Sequence, residues 1–109
     1  MSIHSRLEIA YGEGPCPIDL DEIADEILKI FKAETLDDVL LNNFRDAFEV
    51  GGAALPVPGD ITLEVVERIA SLCPETTLFA RFCGEDFRET WIREFEGGKA
   101  TFAVGPWTE

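Results

Sequence analysis

Apolar and polar residues alternate at the start of the chain, with Ile3, Leu7, Ile9 and Tyr11 interleaved with His4, Arg6 and Glu8. A period of two sends successive side chains to opposite faces, so this segment predicts a β-strand with one wet face. Gly12-Glu13-Gly14-Pro15-Cys16-Pro17 stops it, because that cluster supports neither a helix nor a strand ladder. From Asp19 the period changes: Leu20, Ile23, Ala24, Ile27, Leu28, Ile30 and Phe31 recur at helical spacing and form one apolar stripe. Asp21, Glu22, Asp25 and Glu26 occupy the first turns of this helix and Lys29 and Lys32 the last, the order that the helix dipole favours.

Thr35-Leu36-Asp37-Asp38 reads as a capping box, with Thr35 as the cap and Asp38 reaching back to the free amide. A second helix then runs through Phe48, turning Leu36, Leu40, Phe44, Ala47 and Phe48 inward, and Gly51-Gly52 ends it. Ala53 to Gly59 holds two prolines and reads as a loop or a short edge segment. A third helix opens near Asp60 or Thr62, carries Leu63, Val66, Ile69, Ala70 and Cys73 inward, and stops before Pro74.

Beyond Pro74, three strand-like runs follow: Thr77 to Cys83, Phe87 to Phe95 and Lys99 to Val104. Gly84-Glu85-Asp86 and Glu96-Gly97-Gly98 separate them, which predicts a β-meander. The expected fold is α+β: a four-stranded antiparallel sheet, made of the N-terminal strand and the C-terminal meander, backed on one face by two or three helices. The 109 residues form one domain, 1–109, long enough to bury a core without metals or disulfides.

Charge alters this picture more than composition does. Nine Lys and Arg stand against 22 Asp and Glu, a formal net charge of −13. Solubility alone needs a magnitude of about 2–8 in a small domain, and the surplus carries a cost in self-repulsion. Direct binding to nucleic acid needs a basic footprint and is not expected, and anionic membranes are disfavoured on the same ground. The surplus is uneven: residues 12–38 hold nine acids and two lysines, net −7, whereas residues 1–11 are neutral. Asp21 and Asp25 are four apart, as are Glu22 and Glu26, so like charges stand about 5–6 Å from each other on a helix. The bland account is a solvated helix face; the sharper one is an acidic ridge that takes the place of backbone phosphates on Lys and Arg.

Other chemistry is thinly supported. Cys16, Cys73 and Cys83 are odd in number, show no CxxC spacing, and read as small buried hydrophobes of a reducing compartment. With His4 alone they make a poor zinc set, and the EF-hand and phosphate-loop patterns are missing, so no metal, no cofactor and no catalytic residue is expected. Glu85, Asp86, Glu89, Glu94 and Glu96 form a second acidic group whose expected partners are the interleaved Arg81, Arg88 and Arg93. Phe87, Trp91 and Phe95 fall on one strand face, with Glu89 and Arg93. Phe79 or Phe102, on the other, could serve a dimer or a partner. The opening Met1-Ser2-Ile3-His4-Ser5-Arg6 lacks the order of a signal peptide, which points to the cytoplasm.

The run Phe82-Cys83-Gly84-Glu85-Asp86-Phe87-Arg88-Glu89-Thr90-Trp91, followed by Phe95-Glu96-Gly97-Gly98-Lys99 and Trp107, resembles the ending of small ferredoxin-like proteins of phages and mobile elements. That resemblance implies a ferredoxin-like variant of the helix-backed sheet and no enzyme activity. In its small size and acidity the chain is similar to anti-CRISPR inhibitors, many of which block nucleic-acid-binding surfaces.

The leading expectation is therefore a non-catalytic inhibitor of a basic, nucleic-acid-binding effector, acting partly as a nucleic-acid mimic, monomeric or homodimeric. Its binding residues would be Asp19, Asp21, Glu22, Asp25, Glu26, Glu34, Asp37 and Asp38. An immunity protein against a basic nuclease toxin uses the same physics. A small enzyme or cation sensor, and a structural module whose charge serves solubility alone, are readings of other classes.

Overall fold

A computed structural model describes residues 5–12, 18–84 and 89–106. Its elements are β1 (Arg6–Tyr11), α1 (Ala24–Ala33), α2 (Leu41–Val50), β2 (Gly52–Ala54), α3 (Gly59–Leu72), β3 (Leu78–Cys83), β4 (Trp91–Glu96) and β5 (Lys99–Val104), with a 3-10 turn at Asp38–Leu40. The fold is α+β, and the sheet has five strands in the order β2-β1-β3-β4-β5, every neighbouring pair antiparallel. The four-strand expectation missed β2. Its three residues, Gly-Ala-Ala, carry no β-branched or aromatic signal, and pairing of Arg6 with Ala54 and of Glu8 with Gly52 makes them a strand.

Period-two alternation decides the two faces. Leu7 and Ile9 of β1, Leu78, Ala80 and Phe82 of β3, and Trp91, Arg93 and Phe95 of β4 are buried under the helices. The helices supply Ile27 and Phe31, then Phe44, Ala47 and Phe48, then Leu63, Val65, Val66, Ile69 and Ala70. Phe31 and Phe44 meet at 5.8 Å between ring centroids, joining α1 to α2, and Phe82 stacks on Trp91 at the same separation. The Trp91 indole N–H donates to the Gly59 carbonyl at 3.0 Å, which fixes the start of α3 over the sheet. The opposite face carries no helix among the described residues.

Helix termini account for the remaining differences from expectation. The first helix begins at Ala24 and not at Asp19, because an Asp19 carboxylate oxygen accepts the Asp21 amide at 2.9 Å and holds 20–23 in turns. Thr35 does not cap the second helix. It ends α1 in the left-handed conformation, φ 59°, where the Leu36 amide donates to the Phe31 carbonyl and the Thr35 amide to the Lys32 carbonyl. The cap that follows is Asp37, whose carboxylate accepts the Val39 amide at 3.0 Å and starts the 3-10 turn. Gly51, at φ 106°, ends α2 as expected. Gly105 is held as tightly: at φ 104°, a Cβ there would lie 2.4 Å from the Thr90 carbonyl oxygen.

Candidate acidic interface

Asp19, Asp21 and Glu22 stand in the turns that lead into α1, and Asp25 and Glu26 in its first turn. Glu34 is the C-cap of the same helix, and Asp37 and Asp38 begin the 3-10 turn beyond it. A ten-residue helix is about 15 Å long, so the eight carboxylates form two groups, one at each end of α1, with Lys29 and Lys32 between them. They do not form the single continuous ridge that helical spacing from Asp19 predicts, since Asp21 and Glu22 precede the helix.

Two members of the first group are already met by cations of this chain. Asp21 accepts the Arg45 guanidinium of α2 at 2.6 Å. Glu26 accepts both Lys29, at 3.0 Å, and the Arg68 guanidinium of α3. The Arg68 hydrogen bond, reinforced by Lys29, holds the Glu26 carboxyl below the usual range. These contacts tie α1 to α2 and α3, and Glu26, Lys29, Arg68 and Ser71 line a 530 Å³ groove between α1 and α3. Sequence reading passed over Arg45 and Arg68; the available signal was that each is the one cation on its helix.

Asp19, Glu22, Asp25, Glu34, Asp37 and Asp38 are exposed, and among the described residues no ion pair reaches them. Two of the six are engaged locally through one oxygen, Asp19 with the Asp21 amide and Asp37 with the Val39 amide. Chemically, this leaves six outward carboxylates that can accept from Lys and Arg of another molecule.

The second acidic group is organised otherwise. Arg81 bonds Glu8 across the β1–β3 pair, with Arg6 adding a 3.5 Å contact, and this pairing lowers the Glu8 carboxyl. Arg93 is buried and donates to main-chain carbonyls, those of Val104 at 2.8 Å and Pro106 at 3.2 Å among them. Arg93 shares a buried face with Trp91 and Phe95 as expected, whereas Glu89 precedes the strand. Burial pushes the Arg93 guanidinium down and the nearby Glu67 carboxyl up, even though Glu67 as a whole residue is exposed. His4, Cys16, Glu85, Asp86, Phe87, Arg88 and Trp107 lie outside the described residues. Cys73 and Cys83 are half-buried, more open than a core role predicts, because Cys83 points to the uncovered sheet face and Cys73 caps α3.

No group of three His, Cys, Asp or Glu side chains among the described residues is arranged to hold a metal ion. Within those residues, no helix is long and apolar enough to cross a membrane. Comparison with protein-family models, with curated proteins and with solved structures finds no match to the chain.

Proposed function

We propose that this protein is a non-catalytic inhibitor that binds a basic, nucleic-acid-binding protein through the carboxylates around α1, in the manner of an anti-CRISPR or other anti-defence protein of a phage. The observation that carries the reading is the set of six exposed carboxylates around α1 that no cation among the described residues pairs, on a chain of net charge −13. Such a set costs folding free energy through self-repulsion and regains it when a cationic surface arrives. The carboxylates steer association and then occupy Lys and Arg that would otherwise hold phosphates. In this reading the protein works in the cytoplasm of the bacterial host, needs no cofactor, and belongs with the ferredoxin-like proteins whose C-terminal motif it resembles.

Asp21 and Glu26 are better kept out of the test, since each holds a second helix. Asp19 and Asp37 are left in place as well, because their carboxylates hold the turns at either end of α1, and the informative variant reverses Glu22, Asp25, Glu34 and Asp38 to Lys. A panel of purified nucleic-acid-guided nucleases and basic nuclease toxins, each carrying labelled nucleic acid where it binds one, supplies the targets. The expected result is displacement of nucleic acid by the natural chain, weakening steeply with salt, and none by the variant. Inhibition that survives the reversal, or that is indifferent to ionic strength, overturns the proposal. A toxin as the inhibited target would move the protein to the immunity class with the same surface.

A further inference from the structure

The two edges of the sheet are unlike. At one, β2 is three residues long, Asn43 Nδ2 donates to the Ala54 carbonyl at 3.0 Å, and Pro56 and Pro58 follow. These are the ordinary devices that blunt an edge. At the other, β5 runs six residues, all exposed, and the stretch from 99 to 106 holds no carboxylate and no proline before Pro106. Lys99 and a register shift at Glu94/Phe95 guard only its beginning. Phe102 and Val104 are each 46% exposed, and their pairing with Glu94 and Ile92 puts both on the uncovered face of the sheet.

We propose that the protein pairs with a second copy of itself along the outer edge of β5, joining the two sheets into one antiparallel sheet about a two-fold axis at Ala103. An edge strand presents a row of N–H and C=O groups, and in antiparallel pairing an identical strand is its complement. With Ala103 on the axis, Phe102 of each copy stands opposite Val104 of the other on the same face, an aromatic–β-branched pair made twice. Charge selects both the occupant and the mode. A basic partner gains nothing from a strand whose one charge is Lys99. Stacking two uncovered faces would bury Glu94, which no ion pair among the described residues reaches, along with the Glu8–Arg81 pair, and the β2 edge adjoins Glu49 at the end of α2. Among the described residues, the outer edge of β5 carries no carboxylate of its own, so two strongly acidic molecules can approach along it without setting one carboxylate directly against another. It also leaves the carboxylates around α1 free, since α1 rests on α2 and α3.

The inference is independent of the proposed function and depends on salt with the opposite sign. Screening weakens repulsion between two like-charged molecules, so dimerisation tightens as salt rises, whereas attachment to a basic protein loosens. Sedimentation velocity on the full chain should show a concentration-dependent dimer that strengthens with salt. Phe102→Glu, at an exposed position, should weaken it by about tenfold or more with an unchanged circular dichroism spectrum. Mild oxidation should link Ala103→Cys into a dimer, above the background of the native cysteines, and should not link Ala100→Cys, whose symmetry mate is about 20 Å away in this register. A monomer at all salt concentrations, a dimer indifferent to Phe102→Glu, or linkage of both cysteine variants alike overturns the proposal.

Discussion

The Arg93 guanidinium lies 5.7 Å from the ring centroid of Trp91, two residues back on the same strand face, and its N–H groups turn to main-chain carbonyls where an acidic chain offers many carboxylates. Val104 and Pro106, two of the acceptors, are the last residue of β5 and the second residue beyond it. The side chain thereby couples the last strand to a core built around Trp91. Arg93→Lys keeps the charge but loses the planar fork, and should cost about 2 kcal/mol; Arg93→Ala also removes the buried stem and should cost about 3 kcal/mol or more. Urea unfolding midpoints give the values, and amide exchange should speed up first at residues 103–105. Stability equal to that of the natural chain in both variants would show that this contact is incidental.

Thr35 is a β-branched residue in the left-handed conformation that closes α1. Glycine is favoured at that position because a side chain crowds the following carbonyl, at about 1–2 kcal/mol for most residues. Thr35→Gly should therefore stabilise the fold by about 1 kcal/mol, part of the relief being offset by the looser unfolded chain. Thr35→Asn, which tolerates this backbone without loosening the unfolded state, should match it. Thermal midpoints read the outcome, and a loss of stability in both variants would mean that the Thr35 side chain contributes more than its backbone costs.

The strands β1 and β3 and the helix α3 were legible in the sequence because local periodicity decides them, and β5 because the Glu96-Gly97-Gly98 turn sets it off: Leu7 and Ile9 alternate, and Leu63, Val66, Ile69 and Ala70 recur at helical spacing. Residues 52–54 were not, since only the neighbouring β1 makes Gly-Ala-Ala a strand. The candidate interface divides along the same line. The identity and clustering of its carboxylates are local, but their neutralisation is not: Arg45 reaches Asp21 from 24 residues away and Arg68 reaches Glu26 from 42. A sequence shows that charge is in surplus; only the packing of α2 and α3 against α1 shows which part of the surplus is still unmet.

Acid stability should expose that division. Glu8, hydrogen-bonded to Arg81, and Glu26, hydrogen-bonded to Arg68, are both held below the usual 4.5. Such a carboxylate binds its proton more weakly in the folded than in the unfolded chain. Its stabilisation is complete above the unfolded value and is lost as the pH falls through the lowered one. Glu67 runs the other way: burial raises its carboxyl, so the folded chain takes up that proton first and acidification from neutrality relieves a cost. Protonation also reduces the self-repulsion of a net charge of −13, again favouring the folded state as the pH falls. Urea midpoints should therefore rise from neutrality to a maximum near about pH 5 and decline below about pH 4. Added salt should raise the midpoint at neutral pH and change it little at the maximum. A midpoint that is highest at neutrality and insensitive to salt would mean that the exposed carboxylates exert no net strain on the fold, and that their excess leaves nothing for a cationic surface to relieve.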